Sequence, residues 1–138
     1  MRKTDLAYVA GIVDGEGYIG ISADHRNRYN SNRPCWRLRV SVTNTNEWLM
    51  QYLKFSFGGS ISIKGGKGNK KPCYDWVLNR GHAAEFLKLI LPYLRLKRPQ
   101  AELAIKFQSN ISKSTRRLTD EQFAIREAEM LLMKSMKQ

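Results

Sequence analysis

The 138-residue chain reads as a mixed α+β domain in the order α-β-β-α-β-β-α, with extra helices at the C-terminal end. Three observations carry that reading. Leu6, Val9, Ile12 and Val13 recur at helical spacing. Residues 36–43 alternate strictly between apolar and polar side chains. Two short strand-like runs, 60–64 and 73–79, flank a turn rich in Gly and Lys. A chain of this length buries one modest core. One domain over 1–138 is expected, with its core at 5–108 and a helical extension at 109–138.

Thr4 or Asp5 can cap a helix beginning near Leu6, and Gly15 and Gly17 stop it. Tyr18–Ala23 reads as a strand, and residues 24–34 form a polar loop rich in Arg and Asn. Trp36, Leu38, Val40 and Val42 then face one way, and Arg37, Arg39, Ser41 and Thr43 the other. That pattern is a half-buried strand with arginines on its open face. Asn46–Phe57 carries Leu49, Tyr52, Leu53 and Ser56 at helical spacing and closes on Gly58-Gly59. Ser60–Lys64 and Cys73–Asn79 make a hairpin around GGKGNKKP. Residues 82–94 form a helix with Phe86, Leu89, Ile90 and Tyr93 on its buried side, disturbed near Pro92. Pro99 opens the next helix, to about Gln108. Thr119-x-x-Gln122 is a capping box for a last helix to Met136. Trp36, Trp48 and Trp76 fall at positions expected to be buried.

Charge speaks to partners rather than to fold. The chain carries 24 Lys+Arg against 12 Asp+Glu, a net +12, which points to nucleic acid, an anionic membrane or an acidic protein. Residues 18–80 hold eleven Arg or Lys against three acids, Asp24, Glu47 and Asp75, so most of the surplus lies in the hairpins and their loops. The major groove is wide enough for a two-stranded ribbon of that kind. A membrane role does not suit charges spread over strands and loops instead of along one amphipathic helix. No apolar run reaches the length of a membrane span, and no signal-peptide pattern opens the chain. An intracellular, unsecreted protein is expected. Cys35 and Cys73 stand without a CxxC or a neighbouring His, which reads as two free thiols, not a zinc site. His25 and His82 lie far apart in different contexts, and residues 65–68 lack the Lys-Ser/Thr ending of a phosphate loop.

The most informative segment is residues 6–17, LAYVAGIVDGEG. Ala7, Ala10, Gly11 and Asp14 fall along one stripe, and three of the four are tiny, so a second helix can approach closely. The chain has one such helix, which makes the same helix of a second copy, related by a twofold axis, the natural partner. Both helices then end together and bring Glu16 towards its mate. Converging carboxylates repel unless a cation lies between them, and hard oxygen ligands suit magnesium. Such a cation beside a basic sheet points to phosphodiester hydrolysis.

Residues 9–17, VAGIVDGEG, resemble the signature of the LAGLIDADG homing endonucleases, in the single-motif form that acts as a homodimer. The likeness continues through Val-Thr-Asn at 42–44, Gly58-Gly59, Tyr-Asp-Trp-Val-Leu at 74–78, Pro-Tyr-Leu-Arg-Leu-Lys at 92–97 and Gln100-Ala101, so it covers about residues 6–108. The resemblance implies an αββαββα half-saddle whose antiparallel strands lie in the major groove. It also implies a staggered double-strand break made where the two motif helices meet. By that likeness Glu16 is a direct metal ligand and the Gly15 carbonyl a second, with magnesium as the cation and manganese or calcium able to replace it for binding. Asp14 is structural, capping the partner helix or fixing the interface. Asn44 takes the place of a water-orienting Gln, and Lys97 that of a basic residue acting on the water or on phosphoryl charge. Two departures stand out: Glu16 replaces the commoner Asp, and Asn44 is one methylene shorter than Gln. A second basic residue of some members has no match, because Glu47 and Trp48 lie there.

The same likeness assigns the groove-facing positions. They are Arg37, Arg39 and Ser41, with Ser22 and Asp24 on the first strand, Ser62 and Lys64 on the third, and Asp75 and Val77 on the fourth. Arg26, Arg28, Asn30 and Arg33 in the first loop reach outer bases or phosphates, and Lys67, Lys70 and Lys71 contact phosphates. The resulting expectation is a homing endonuclease that makes a metal-dependent double-strand break in a long, pseudo-palindromic duplex. A second class is an RNA maturase assisting intron splicing, or a non-cleaving DNA-binding protein on the same scaffold. A basic ribosome-associated protein would give Glu16 no reason to meet its twin.

Overall fold

The computed structural model describes residues 1–24, 35–66, 68, 71–112 and 119–137. Its elements are α1 (Lys3–Glu16), β1 (Gly17–Asp24), β2 (Cys35–Asn44), α2 (Glu47–Phe57), β3 (Ser60–Lys64), β4 (Cys73–Asn79), α3 (Arg80–Ile90), α4 (Arg98–Ser112) and α5 (Asp120–Ser135). A single 3₁₀ turn, Leu91–Tyr93, follows α3 at Pro92. The α+β order is the expected one. No described helix is long and apolar enough to cross a membrane.

α1 begins earlier than Thr4 and Asp5 suggest. Arg2 occupies the cap without a side-chain bond, and its carbonyl accepts from the Asp5 and Leu6 amides at 3.1 Å each. Asp5 lies inside the first turn instead, where the positive end of the helix favours it. The other end of α1 depends on Gly17 for space: a Cβ there would stand 2.6 Å from the Val13 carbonyl oxygen.

The strands form one antiparallel sheet in the order β1-β2-β4-β3. Its register sets Ile19 opposite Val40, and Val42 opposite both Gly17 and Trp76. Period-two alternation therefore puts Ile19, Ile21, Leu38, Val40, Val42, Trp76 and Leu78 on the face covered by the helices, where all seven are buried. Val9, Ala10 and Val13 of α1, and Ala83, Phe86, Leu87 and Ile90 of α3, close the core over them. Leu89, expected inside, stands one position off the α3 stripe and is exposed.

Trp76 is the hub of the far end. Its ring stands edge-on to Phe86, with centroids 5.3 Å apart, and its Nε1 donates to the Gly58 carbonyl at 2.8 Å. The chain turns beneath it through Gly58 and Gly59, both in the left-handed region. Trp36 is half-buried and lies 6.3 Å from Phe123 of α5. Trp48, expected to be buried, is 65% exposed. It stacks on Tyr52 along the outer face of α2 at a centroid distance of 5.4 Å.

α5 starts with the capping box read from Thr119 and Gln122: each side chain accepts the other's backbone amide at 3.1 Å. Met130 and Met133 are its buried apolar residues. Glu129 is buried with them, and among the described residues neither carboxylate oxygen has a partner in good hydrogen-bond geometry.

Candidate metal site and nucleic-acid face

Glu16 is the last residue of α1 and Asn44 the last of β2. Asn44 Nδ2 donates to Glu16 Oε2 at 2.6 Å. The other amide atom, Asn44 Oδ1, accepts from the Asn46 backbone at 2.8 Å, and Asn46 in turn caps α2 by accepting from Leu49 N at 3.0 Å. The acid is thereby tied to the start of α2 through two side chains. Glu16 itself is exposed, and among the described residues no ion pair neutralises it.

Asp14 works inside its own chain. Its Oδ2 accepts from the Arg95 amide at 2.8 Å, and its Oδ1 accepts from the amides of Leu96 at 3.2 Å and Lys97 at 2.9 Å. Lys97 Nζ returns a bond of 2.6 Å to the Asp14 carbonyl. Burial alone would raise the Asp14 carboxyl, but the amides of Arg95, Lys97 and Leu96 and the charge of Lys97 outweigh it and hold it below the ordinary value. Asp14, expected to cap a partner helix or fix the interface, binds residues 95–97 of its own chain through both oxygens.

The expectation that Ala10 lines the interface is corrected. Ala10 is fully buried in the core and takes no part in an exposed stripe. The small residues that do face outward are Ala7, Gly11 and Gly15, four apart along α1. A Cβ added at Gly11 or Gly15 would meet nothing within 4 Å. The four-residue spacing separates this row from the core row of Leu6, Val9, Ala10 and Val13.

These residues suit a hard divalent cation. Gly15 belongs to the last turn of α1, whose carbonyls have no amide ahead of them in the helix, and a helix C-terminus attracts positive charge. Glu16 adds a carboxylate, so the donors are all oxygen. Among the described residues no group of three or more His, Cys, Asp or Glu could hold a metal. Completing the coordination therefore calls on water, phosphate or a second chain.

The sheet face opposite the core carries the basic side chains. The register brings Ser22 opposite Arg37, Gly20 opposite Arg39, Thr43 opposite Asp75, and Ser62 opposite Asp75. Lys64, Lys71 and Ser62 are exposed, while Ser22, Arg37, Arg39 and Val77 are half-buried and Ser41 is buried. Asp75, expected to read bases, has only 4% of its side chain exposed. It accepts from Arg39 Nη2 at 3.1 Å and Thr43 Oγ1 at 2.9 Å, with Lys64 Nζ 3.5 Å away. It therefore sets the position of two cations instead of pointing at a base. Thr43 and Asn46, which the sequence did not single out, are the partners of Asp75 and Asn44. The side chain of Asp24, and Arg26, Arg28, Asn30, Arg33, Lys67 and Lys70, lie outside the described residues. Both cysteines are free thiols.

An antiparallel sheet with arginine and lysine on its open face, and a helix that delivers an acid to the edge of that face, is the plan of a DNA-handling nuclease. The sequence model of the LAGLIDADG endonuclease family matches residues 9–109, and the chain belongs to that family. No curated protein sequence matches it. Among solved structures, the homing endonuclease I-CvuI, in complex with the I-CreI target in the presence of magnesium and with the DNA not cleaved, is similar at 21% identity and a TM-score of 0.79. That match covers 98% of this chain and 83% of I-CvuI. The archaeal intron-encoded homing endonuclease I-Vdi141I, complexed with DNA, is similar at 16% identity and a TM-score of 0.81, covering 98% of this chain and 85% of that one. I-SmaMI bound to cleaved DNA matches at 18% identity and a TM-score of 0.76, covering 97% of this chain but 45% of its own. At these identities the likeness establishes the fold.

Proposed function

We propose that the chain is a site-specific homing endonuclease that makes a metal-dependent, staggered double-strand break in a long pseudo-palindromic DNA target as a homodimer. The observation that carries this reading is the position of Glu16. It ends α1, is held by Asn44, and adjoins the exposed row of Ala7, Gly11 and Gly15. Two copies packed along that row bring one Glu16 each to the same end of the paired helices, and each chain supplies the donors the other lacks. Glu16 and the Gly15 carbonyl would hold the cation. Bound magnesium supplies Lewis acidity to the scissile phosphate and an activated water. Asn44 keeps the Glu16 carboxylate in one rotamer. Lys97 spends one of its three N–H donors on the Asp14 carbonyl, which leaves two for phosphoryl charge. Arg37, Arg39 and Lys64 face the groove.

A second reading, a non-cleaving DNA-binding protein or RNA maturase on the same scaffold, is favoured by Asn44, whose amide is occupied at both ends within the chain. Selection of cleaved sites from a random duplex pool with magnesium separates the two. The nuclease reading expects one enriched, twofold-related site, and expects Glu16→Gln to bind it without cutting. Binding with no product under magnesium, manganese or calcium would overturn it in favour of the second.

A further inference from the structure

The match to the family model ends at residue 109, so α5 lies beyond it, yet the end of α5 returns to the site. Gln100 Nε2 of α4 donates to the Met136 carbonyl at 3.2 Å and fixes that end in place. Gly17, Tyr18, Lys97, Gln100, Met136 and Lys137 contribute to the lining of a cleft of about 410 Å³. This cleft opens one residue beyond Glu16.

Lys137 is held in it in an unusual way. Its Nζ sits 3.7 Å from the centre of the Tyr18 ring. Tyr18 occupies the groove face of β1, paired with Ser41, and Gly20 is the next residue on that face. Gly20 makes the room: a Cβ there would stand 2.7 Å from Lys137 Nζ and collide with the Tyr18 hydroxyl. The lysine thus reaches round the edge of β1 to the side of the sheet that carries Arg37 and Arg39. A ring face holds an ammonium through its quadrupole from one side, so the N–H donors on the other side stay available. Among the described residues no side-chain hydrogen bond or ion pair occupies Lys137. The cleft therefore presents two ammonium groups, Lys97 and Lys137, beside an Asp14 carboxylate already engaged by the amides of residues 95–97, and Lys137 keeps the donors that point away from the ring for a further ligand. A phosphodiester oxygen is the ligand that matches such a donor set on a groove face.

We propose that this cleft is a backbone-phosphate site for the DNA strand beside the scissile bond, with Lys137 as the contact and Tyr18 as its platform. α5 is on this account part of the nuclease. The proposal rests on the DNA-cleaving reading, and the test distinguishes the failure of one from the failure of the other. The full chain is titrated against a fluorescein-labelled random-sequence duplex in calcium chloride, by anisotropy, across a potassium chloride series. Lys137→Ala is expected to flatten the plot of log affinity against log salt by about 0.9 per chain, one phosphate contact. Lys137→Arg should restore the slope. Gly20→Ala keeps every charge but fills the space under Lys137, and is expected to behave like Lys137→Ala. Lys134→Ala, at an exposed lysine in the last turn of α5 away from the cleft, should leave the slope unchanged. Lys137 is exposed, so its variants should unfold at the temperature of the parent. An unchanged slope for Lys137→Ala, or an equal loss for Lys134→Ala, overturns the phosphate site while the nuclease reading stands. A parental chain that does not bind duplex DNA at all overturns both.

Discussion

Asn44 Nδ2 and Glu16 Oε2 lie 2.6 Å apart, joining the last residue of β2 to the last residue of α1. The bond fixes the carboxylate on which the proposed chemistry depends. A hydrogen bond to a charged group contributes about 1.5–3 kcal/mol, which converts to roughly ten- to a hundredfold in rate. Asn44→Ala should lower the cleavage rate by that factor with little change in DNA affinity in calcium. A cleavage time course under saturating magnesium checks it; an undiminished rate would show that Glu16 needs no such support.

Asp14 holds three amides of residues 95–97. Asp14→Ala leaves them without their acceptor and should destabilise the fold by about 1–3 kcal/mol, read as a lower urea midpoint. The carboxyl is held below its ordinary value in the folded chain. Its stabilisation is therefore complete above the unfolded-state value and is lost as pH falls through the lower folded one. The deficit of Asp14→Asn against the parent should shrink on acidification. A deficit that stays constant down to acid unfolding would contradict this assignment.

Glu129 has the opposite sign. Burial raises its carboxyl above the ordinary value, although Lys106, Asn110 and Arg126 pull the other way. A raised folded value means that its contribution is fully present below the unfolded value and is lost as pH rises through the folded one. Glu129→Gln removes the ionisation and should stabilise the chain near neutral pH by on the order of 1 kcal/mol. The advantage should vanish in acid. Thermal unfolding of both proteins across pH measures it, and a variant less stable at neutral pH would sink the prediction.

Gly11 and Gly15 have open space where a side chain would go. Gly11→Leu should leave the isolated chain at least as stable, since glycine in a helix costs about 1 kcal/mol. The same change should abolish dimerisation. Sedimentation on and off DNA tests this, and a leucine variant that still dimerises would place the interface elsewhere.

Gly59 adopts φ of +91°, and a Cβ there would stand 2.6 Å from the Val77 carbonyl oxygen. Gly59→Ala should cost roughly 1–3 kcal/mol by denaturant titration, whereas Gly58→Ala, whose Cβ meets nothing within 4 Å, carries only the backbone part of that penalty.

The sheet was legible from sequence because alternation in residues 36–43 leaves a single choice of core face, and the order of elements followed from it. The acid-ended helix and Lys97 were legible through the family motif. Ala10 was misplaced because small size alone does not tell a helix-facing position from a core-facing one. Ala10 shares its side of α1 with Val9 and Val13, all fully buried. The strand parity that puts Asp75 on the groove face is correct, but its reading as a base contact is not. Parity does not reveal that Arg39, Thr43 and Lys64 converge on the same carboxylate across three strands. Lys137 gave no signal at all, since its partner Tyr18 is more than a hundred residues away.

The cluster around Asp75 also limits how this surface can be re-engineered towards a new target. Ser22 sits outside the cluster and is open to exchange on its own. On the proposed reading of this face, Arg39, Thr43, Lys64 and Asp75 act as one unit: replacing Arg39 or Thr43 takes a hydrogen bond from a near-buried carboxylate, and replacing Asp75 releases its neighbours. A library that varies these four together should yield altered specificities that stepwise substitution would miss.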